Sequence, residues 1–150
     1  MIGVLTARTL AAKAGYAGQM AQPSIEVILT RELSSSLSTP VFLVDPNGNL
    51  LFYNEPAESI LGCRFDETGE MSVEVWATMF VPTDVDGHPL PAEELPLVIA
   101  LKERRPAHAC FYIKGLDGAS RQIEVSAFPL IGHGSRLRGG VAFFWEPRRS

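Results

Sequence analysis

Residues 41–62 read VFLVDPNGNLLFYNEPAESILG, and the hydrophobic period changes twice within them. Val41, Phe42, Leu43 and Val44 form an apolar run of strand length, which Asp45, Pro46, Asn47 and Gly48 close. Proline presets φ for the second turn position, and Asn47 and Gly48 tolerate the positive φ of a tight reversal. Leu50, Leu51, Phe52 and Tyr53 follow as a second strand, so the pair is expected to form an antiparallel hairpin. Asn54, Glu55 and Pro56 then supply a cap, an acid and a first-turn proline. Ala57, Ile60 and Leu61 give the resulting helix its apolar side, and Gly62 ends it.

Upstream, Ser24 offers an N-cap, and Ile25, Ile28, Leu29, Leu33 and Leu37 recur at helical spacing, which predicts an amphipathic helix over 24–37. So short a helix is marginal alone, and its apolar stripe needs its own sheet or another chain to pack on. Residues 1–23 are expected to be a flexible, weakly helical leader; Arg8 and Lys13 interrupt their small apolar residues, and no signal peptide is read there. Downstream of Gly62 comes a looser stretch. Ser72 caps a brief helix carrying Val73, Val75, Trp76 and Met79, and a turn-rich segment runs from Pro82 to Pro91. A further helix is expected with Glu93 and Glu94 in its first turn, Leu95, Leu97, Val98, Ile99 and Leu101 on its apolar face, Pro96 close to the start of its regular part, and Arg104 and Arg105 in its last turn before Pro106. Three strands follow, over 108–114, 121–130 and 139–146. Two strands, then helices, then three strands predict an α+β domain in which an antiparallel sheet carries its helices on one face.

Composition agrees with one globular domain. Of 150 residues 46% are hydrophobic and 20% charged, and the two cysteines, Cys63 and Cys110, form no CxxC pair. A reducing cytoplasm is the expected location. The formal charge of −4 is unevenly spread, with an acidic middle and a basic C-terminal third. An acidic chain argues against nucleic-acid partners, and no apolar run approaches the length that spans a bilayer.

A hydrophobic strand, an Asp-x-x-Gly turn, a second strand ending in Asn54, and a helix ending in Leu61-Gly62 together resemble a PAS domain over roughly residues 38–146. The later run Asp86, Gly87, Pro89, Leu90, Pro91, Glu94, Leu95, Pro96, Leu97, Ala100, Leu101 is also similar to that family. So are the Leu116-Asp117-Gly118 hairpin and the strand ending Ala127, Phe128, Pro129, Leu130. The resemblance is to bacterial sensor modules. It implies a five-stranded antiparallel sheet in spatial order 2-1-5-4-3, with helices folded over one side to form a cup. It also implies a sensory or protein-interaction role. Residues 147–150 are then a short tail, and any effector is expected to act in trans as an unidentified signalling protein.

Val44, Phe52, Trp76, Leu97, Leu101, Phe111, Val125 and Phe143 are the expected cup lining, either around a small-molecule ligand or as filled core. Ile25, Ile28, Leu29, Leu33, Leu37 and Trp145 are the expected homodimer interface. Heme is disfavoured, because the long helix carries no histidine; His88, His108 and His133 read as surface or turn residues. FMN is disfavoured too. Gly62-Cys63-Arg64-Phe65 only partly matches the Asn-Cys-Arg-Phe of flavin photosensors, and Gln122 stands alone where polar residues would grip the ring. No metal site and no catalytic residues are expected, since hydrolase, kinase and nucleotide-binding signatures do not occur. The alternatives are a ligand-free dimerisation scaffold and, less favoured, a small cone-shaped α+β enzyme.

Overall fold

The computed structural model describes residues 24–148; the expected leader and residues 149–150 lie outside the described residues. The elements are α1 (Ile25–Ser35), β1 (Val41–Val44), β2 (Leu50–Tyr53), α2 (Glu55–Leu61), α3 (Phe65–Thr68), α4 (Val73–Met79), a 3-10 turn (Ala92–Glu94), α5 (Pro96–Glu103), β3 (Ala107–Lys114), β4 (Ser120–Ile131), a second 3-10 turn (His133–Ser135) and β5 (Leu137–Trp145). All five strands join one sheet in the order β2-β1-β5-β4-β3, with every neighbouring pair antiparallel.

The first strand lies inside the sheet, between β2 and β5, and both its faces are covered, which explains its unbroken apolar sequence. Phe42 and Val44 belong to the core under the helices, while Val41 and Leu43 belong to a second core on the opposite face. A strand covered on both sides has no solvent face to mark with polar residues. Its union with β5 is close. A Cβ at Gly139 would sit 2.4 Å from the Val44 carbonyl oxygen, so glycine is required at that crossing.

The hairpin turn is held by Asp45, whose carboxylate accepts the Asn47 and Asn49 backbone N–H groups at 2.9 Å each. The buried Trp76 indole N–H donates to the Gly48 carbonyl at 2.7 Å, tying α4 to the same turn. Asn54 does more than cap α2. Its Oδ1 accepts from Ala57 N (3.3 Å) and Val41 N (2.9 Å), and its Nδ2 donates to Ser34 O (3.0 Å) and Thr39 O (2.9 Å). The end of α1, the start of β1 and the start of α2 therefore share one fully satisfied, buried amide.

Two local expectations need correction. The helix expected from Glu93 is broken: Glu93 and Glu94 lie in the 3-10 turn, and the regular helix α5 starts at Pro96, whose missing N–H is no loss at a first-turn position. The looser stretch after Gly62 contains the one-turn helix α3, and Glu58 Oε2 accepts the Phe65 N–H at its start (2.8 Å). Of the two seats left open for the stripe of α1, the sheet is not taken: Ile25, Ile28, Leu29 and Leu33 face away from it. Val27 and Ser34 are the residues this helix buries. The hydroxyls of Thr30 and Ser34 return to helix carbonyls at 2.6 Å, so polar side chains pack on the sheet with their hydrogen bonds made.

Replacing Asn54 with Asp removes both amide donors and sets a carboxylate against two carbonyl oxygens. Urea unfolding of Asn54→Asp is expected to show a loss of about 2–4 kcal/mol. A loss below about 1 kcal/mol would mean that the amide bridge contributes little.

Candidate functional site

α2, α4, α5 and the inner sheet face line a partly open cavity of about 80 Å³. Phe42, Ala142 and Phe144 approach it from the central strands, and Phe111, Ile113, Ile123 and Val125 from β3 and β4. Leu61, Trp76 and Leu97 close it from the helices, with Phe80 and Pro82 from the segment after α4. Every lining residue is apolar and buried. The Trp76 N–H, the polar atom nearest in kind to a ligand handle, is already taken by Gly48.

The expected lining residues divide. Trp76, Leu97, Phe111 and Val125 are on the cavity wall. Val44 is buried in the same core but stands behind the wall. Leu101 packs over Gly140 and borders an open hollow of about 460 Å³ between the β1–β2 turn, α4 and α5. Phe52 and Phe143 belong to the other face. The Arg31 guanidinium covers Phe52 at 4.9 Å from the ring centroid, and Phe143 meets Phe128 edge to face at 6.1 Å. A register shift at Leu43/Val44 directs both Leu50 and Tyr53 into the helix-side core and leaves Phe52 outside, which simple alternation misassigns. Phe144 rather than Phe143 points inward. Val125 is paired with Phe144, and that cross-strand register sets the parity.

The cavity suits neither cofactor that the sequence brought into question. It holds about half the volume of an apolar cavity that binds benzene, well short of a porphyrin or an isoalloxazine ring. The Cys63 thiol is absent from the wall. It lies 3.1 Å from the Tyr53 hydroxyl, which also reaches the Cys63 carbonyl (3.1 Å) and Thr68 Oγ1 (3.2 Å). Burial pushes the Cys63 thiol above its ordinary range and raises the Tyr53 hydroxyl as well, so both stay protonated at neutral pH. Gln122 is on the outer face, donating to Cys110 Sγ at 3.2 Å. Asp84, Asp86 and His88 gather at an exposed turn, where the Asp84 carboxylate accepts the Asp86 and His88 backbone N–H groups.

An ionic clamp braces the α2 side of the cup. Arg121 donates to Asp117 at 2.6 and 3.1 Å and to the Ile60 carbonyl at 2.9 Å, and lies 3.6 Å from Glu146 just past β5. The hairpin is thereby joined to the helix that supplies Leu61 and to the outgoing chain. Gly62 permits this approach: its φ is +78°, and a Cβ there would lie 2.6 Å from Asp117 N. The Arg121 guanidinium, with the Ala119 N–H, holds the Asp117 carboxyl down to about 2.

The second candidate surface is outside the cup. Ile25, Leu29 and Leu33 are 61–66% exposed and Ile28 nearly half, forming an aliphatic stripe along α1. Leu37 instead packs into the chain's own outer core. Trp145 lies beyond the C-terminal end of α1, partly exposed, with its indole N–H on Glu124 Oε2 at 2.9 Å. Phe128 and Ile131 add exposed apolar surface on β4.

No protein-family model and no curated protein matches the chain. Solved structures do. A PAS domain from Colwellia psychrerythraea superposes with a TM-score of 0.59 at 16% identity over 80% of this chain and 97% of that one. The RsLOV d2 variant gives 0.65 at 17% identity, over 86% and 70%. A PAS domain from a two-component sensor histidine kinase gives 0.54 at 16% identity, over 84% and 100%. The chain therefore has the PAS fold, as the order of its strands and helices implied.

Filling the void tests its existence. Ala142→Val adds two carbons against the cavity on a strand that favours β-branched residues, and is expected to raise stability in urea by about 1 kcal/mol. A decrease would show that the space beside Ala142 is already packed. The clamp has an acid signature. Because the folded Asp117 value of about 2 lies below its ordinary 3.8, its contribution is complete above pH 4 and lost as pH falls toward 2. Asp117→Asn is expected to flatten that limb in a stability–pH series; an unchanged limb would place the acid sensitivity elsewhere.

Proposed function

We propose that this chain is a signalling module that associates with a second copy of itself through α1 and the outer sheet face, and that the state of the cup biases that association. The observation that carries this reading is the orientation of α1. A helix that buries Val27 and Ser34 while presenting Ile25, Ile28, Leu29 and Leu33 to solvent is arranged for a partner. The stripe is aliphatic apart from the exposed Glu32, which falls between Ile28 and Leu29 on the same face, and a two-fold pairing sets the same patch of each copy against the other. Phe128 and Ile131 on β4 and Trp145 on β5 are further exposed apolar residues that such a pairing would cover.

The route from cup to interface is one strand thick. On β1 and β5, cavity residues Phe42, Ala142 and Phe144 alternate with Val41, Leu43 and Val141, which lie on the face where α1 packs. Close-packed interiors transmit strain, so a change in cup volume reaches the seat of α1 directly. A sensory role is supported by the fold's likeness to a domain of a two-component sensor histidine kinase. No helix among the described residues is long and apolar enough to cross a membrane, and a cytoplasmic place in such a pathway accords with two unpaired cysteines. Binding rather than turnover is the proposed activity; the downstream effector is a further protein reached in trans.

The small apolar cup also favours a second reading, a scaffold that pairs with no ligand at all. Light scattering on a sizing column across a concentration series decides the association itself. The wild-type chain is expected to run as a dimer and Leu29→Glu/Leu33→Glu as a folded monomer, with an unchanged far-ultraviolet circular dichroism spectrum because both positions are exposed in the single chain. A wild-type monomer at all concentrations would remove the proposal.

A further inference from the structure

The cup's size and chemistry narrow what it holds. We infer that it takes a small, uncharged, apolar molecule of no more than about four heavy atoms, of the size of dioxygen or a short hydrocarbon, bound directly by the protein. This rests on the reading of the cup as the module's sensing site.

Three observations carry it. The volume of about 80 Å³ is roughly half that of a benzene-binding cavity. The wall is almost wholly carbon and an ordered water needs two to four polar partners, so water is poorly held there and the lining lacks dispersion contacts on one side. An apolar guest restores those contacts. A charged or strongly hydrogen-bonding metabolite would lose its hydration with nothing to replace it. Finally, the wall is rigid where it matters for size. Phe42 meets Trp76 edge to face at 5.1 Å, and Trp76 is pinned by the Gly48 carbonyl, so the aromatic side cannot swing away to enlarge the space without breaking a buried hydrogen bond.

Methyl-labelled full-length protein under xenon pressure tests the inference. The expected result is saturable shifts at the methyls of Leu97, Ile113, Ile123 and Val125, with only linear drift at Leu29 and Leu33. Ala142→Val, which occupies the space, is expected to abolish the saturable shifts. Ile123→Ala, which widens it, is expected to admit benzene that the wild type excludes; this arm carries the test if the valine variant folds poorly. Dioxygen and cyclopropane, titrated separately, tell a gas from a hydrocarbon by which saturates at the lower pressure. Absence of saturable xenon shifts in the wild type, or shifts untouched by Ala142→Val in a folded protein, would overturn the inference. Light scattering on the same samples separates it from the broader reading: xenon binding with unchanged association removes the sensing role alone, while a larger ligand that alters association with no xenon binding removes the guest class alone.

Discussion

The buried side-chain amide of Asn54 is the constraint on which the architecture turns. It satisfies two backbone donors and two backbone acceptors from three separate segments, and three of those four bonds are buried. β1 is thereby set inside the sheet with α1 fixed on one face and α2 leaving toward the other. With β1 placed, β5 has one edge to pair with, and Gly139 permits the contact. A single residue thus links the outer face to the cup before any aliphatic packing is counted.

The division of faces follows from that placement. The helix-side core gathers the aromatic rings Phe42, Tyr53, Trp76, Phe80, Phe111 and Phe144, yet their shapes leave a void rather than a filled layer. The outer core is smaller, built from Val27, Val41, Leu43 and Val141, and it covers only the part of the sheet nearest β1. What remains is aliphatic surface on α1 and aromatic surface on β4 and β5. An internal void and an uncovered exterior both lower the stability of an isolated chain. Their position on opposite sides of the same two strands is the physical basis for coupling a guest to a partner.

The hairpin was legible because its turn chemistry is local: Asp45 to Gly48 specify a reversal whatever surrounds them. The caps of α2 were legible for the same reason, as was the order of the elements, and the likeness to PAS domains supplied the spatial order of the strands. α3 escaped notice because four residues show no period. The start of the regular helix near Pro96 was legible from the proline, whereas the separate turn before it was not, because Glu93 and Glu94 suit a helix start and a 3-10 turn equally. Half of the expected cup residues reached the wall; Phe52 and Phe143 did not, since side-chain parity depends on pairing partners distant in sequence.

The chain's own residues therefore determined the elements, their turns and caps, and the existence of an apolar stripe on α1, all of which rest on interactions spanning a few positions. Only the tertiary structure decided which side of α1 meets the sheet, which of two adjacent phenylalanines faces inward, and how much space the aromatic residues leave between them. Those outcomes come from packing and register, where each side chain's place is set by neighbours that adjacency along the chain does not reveal.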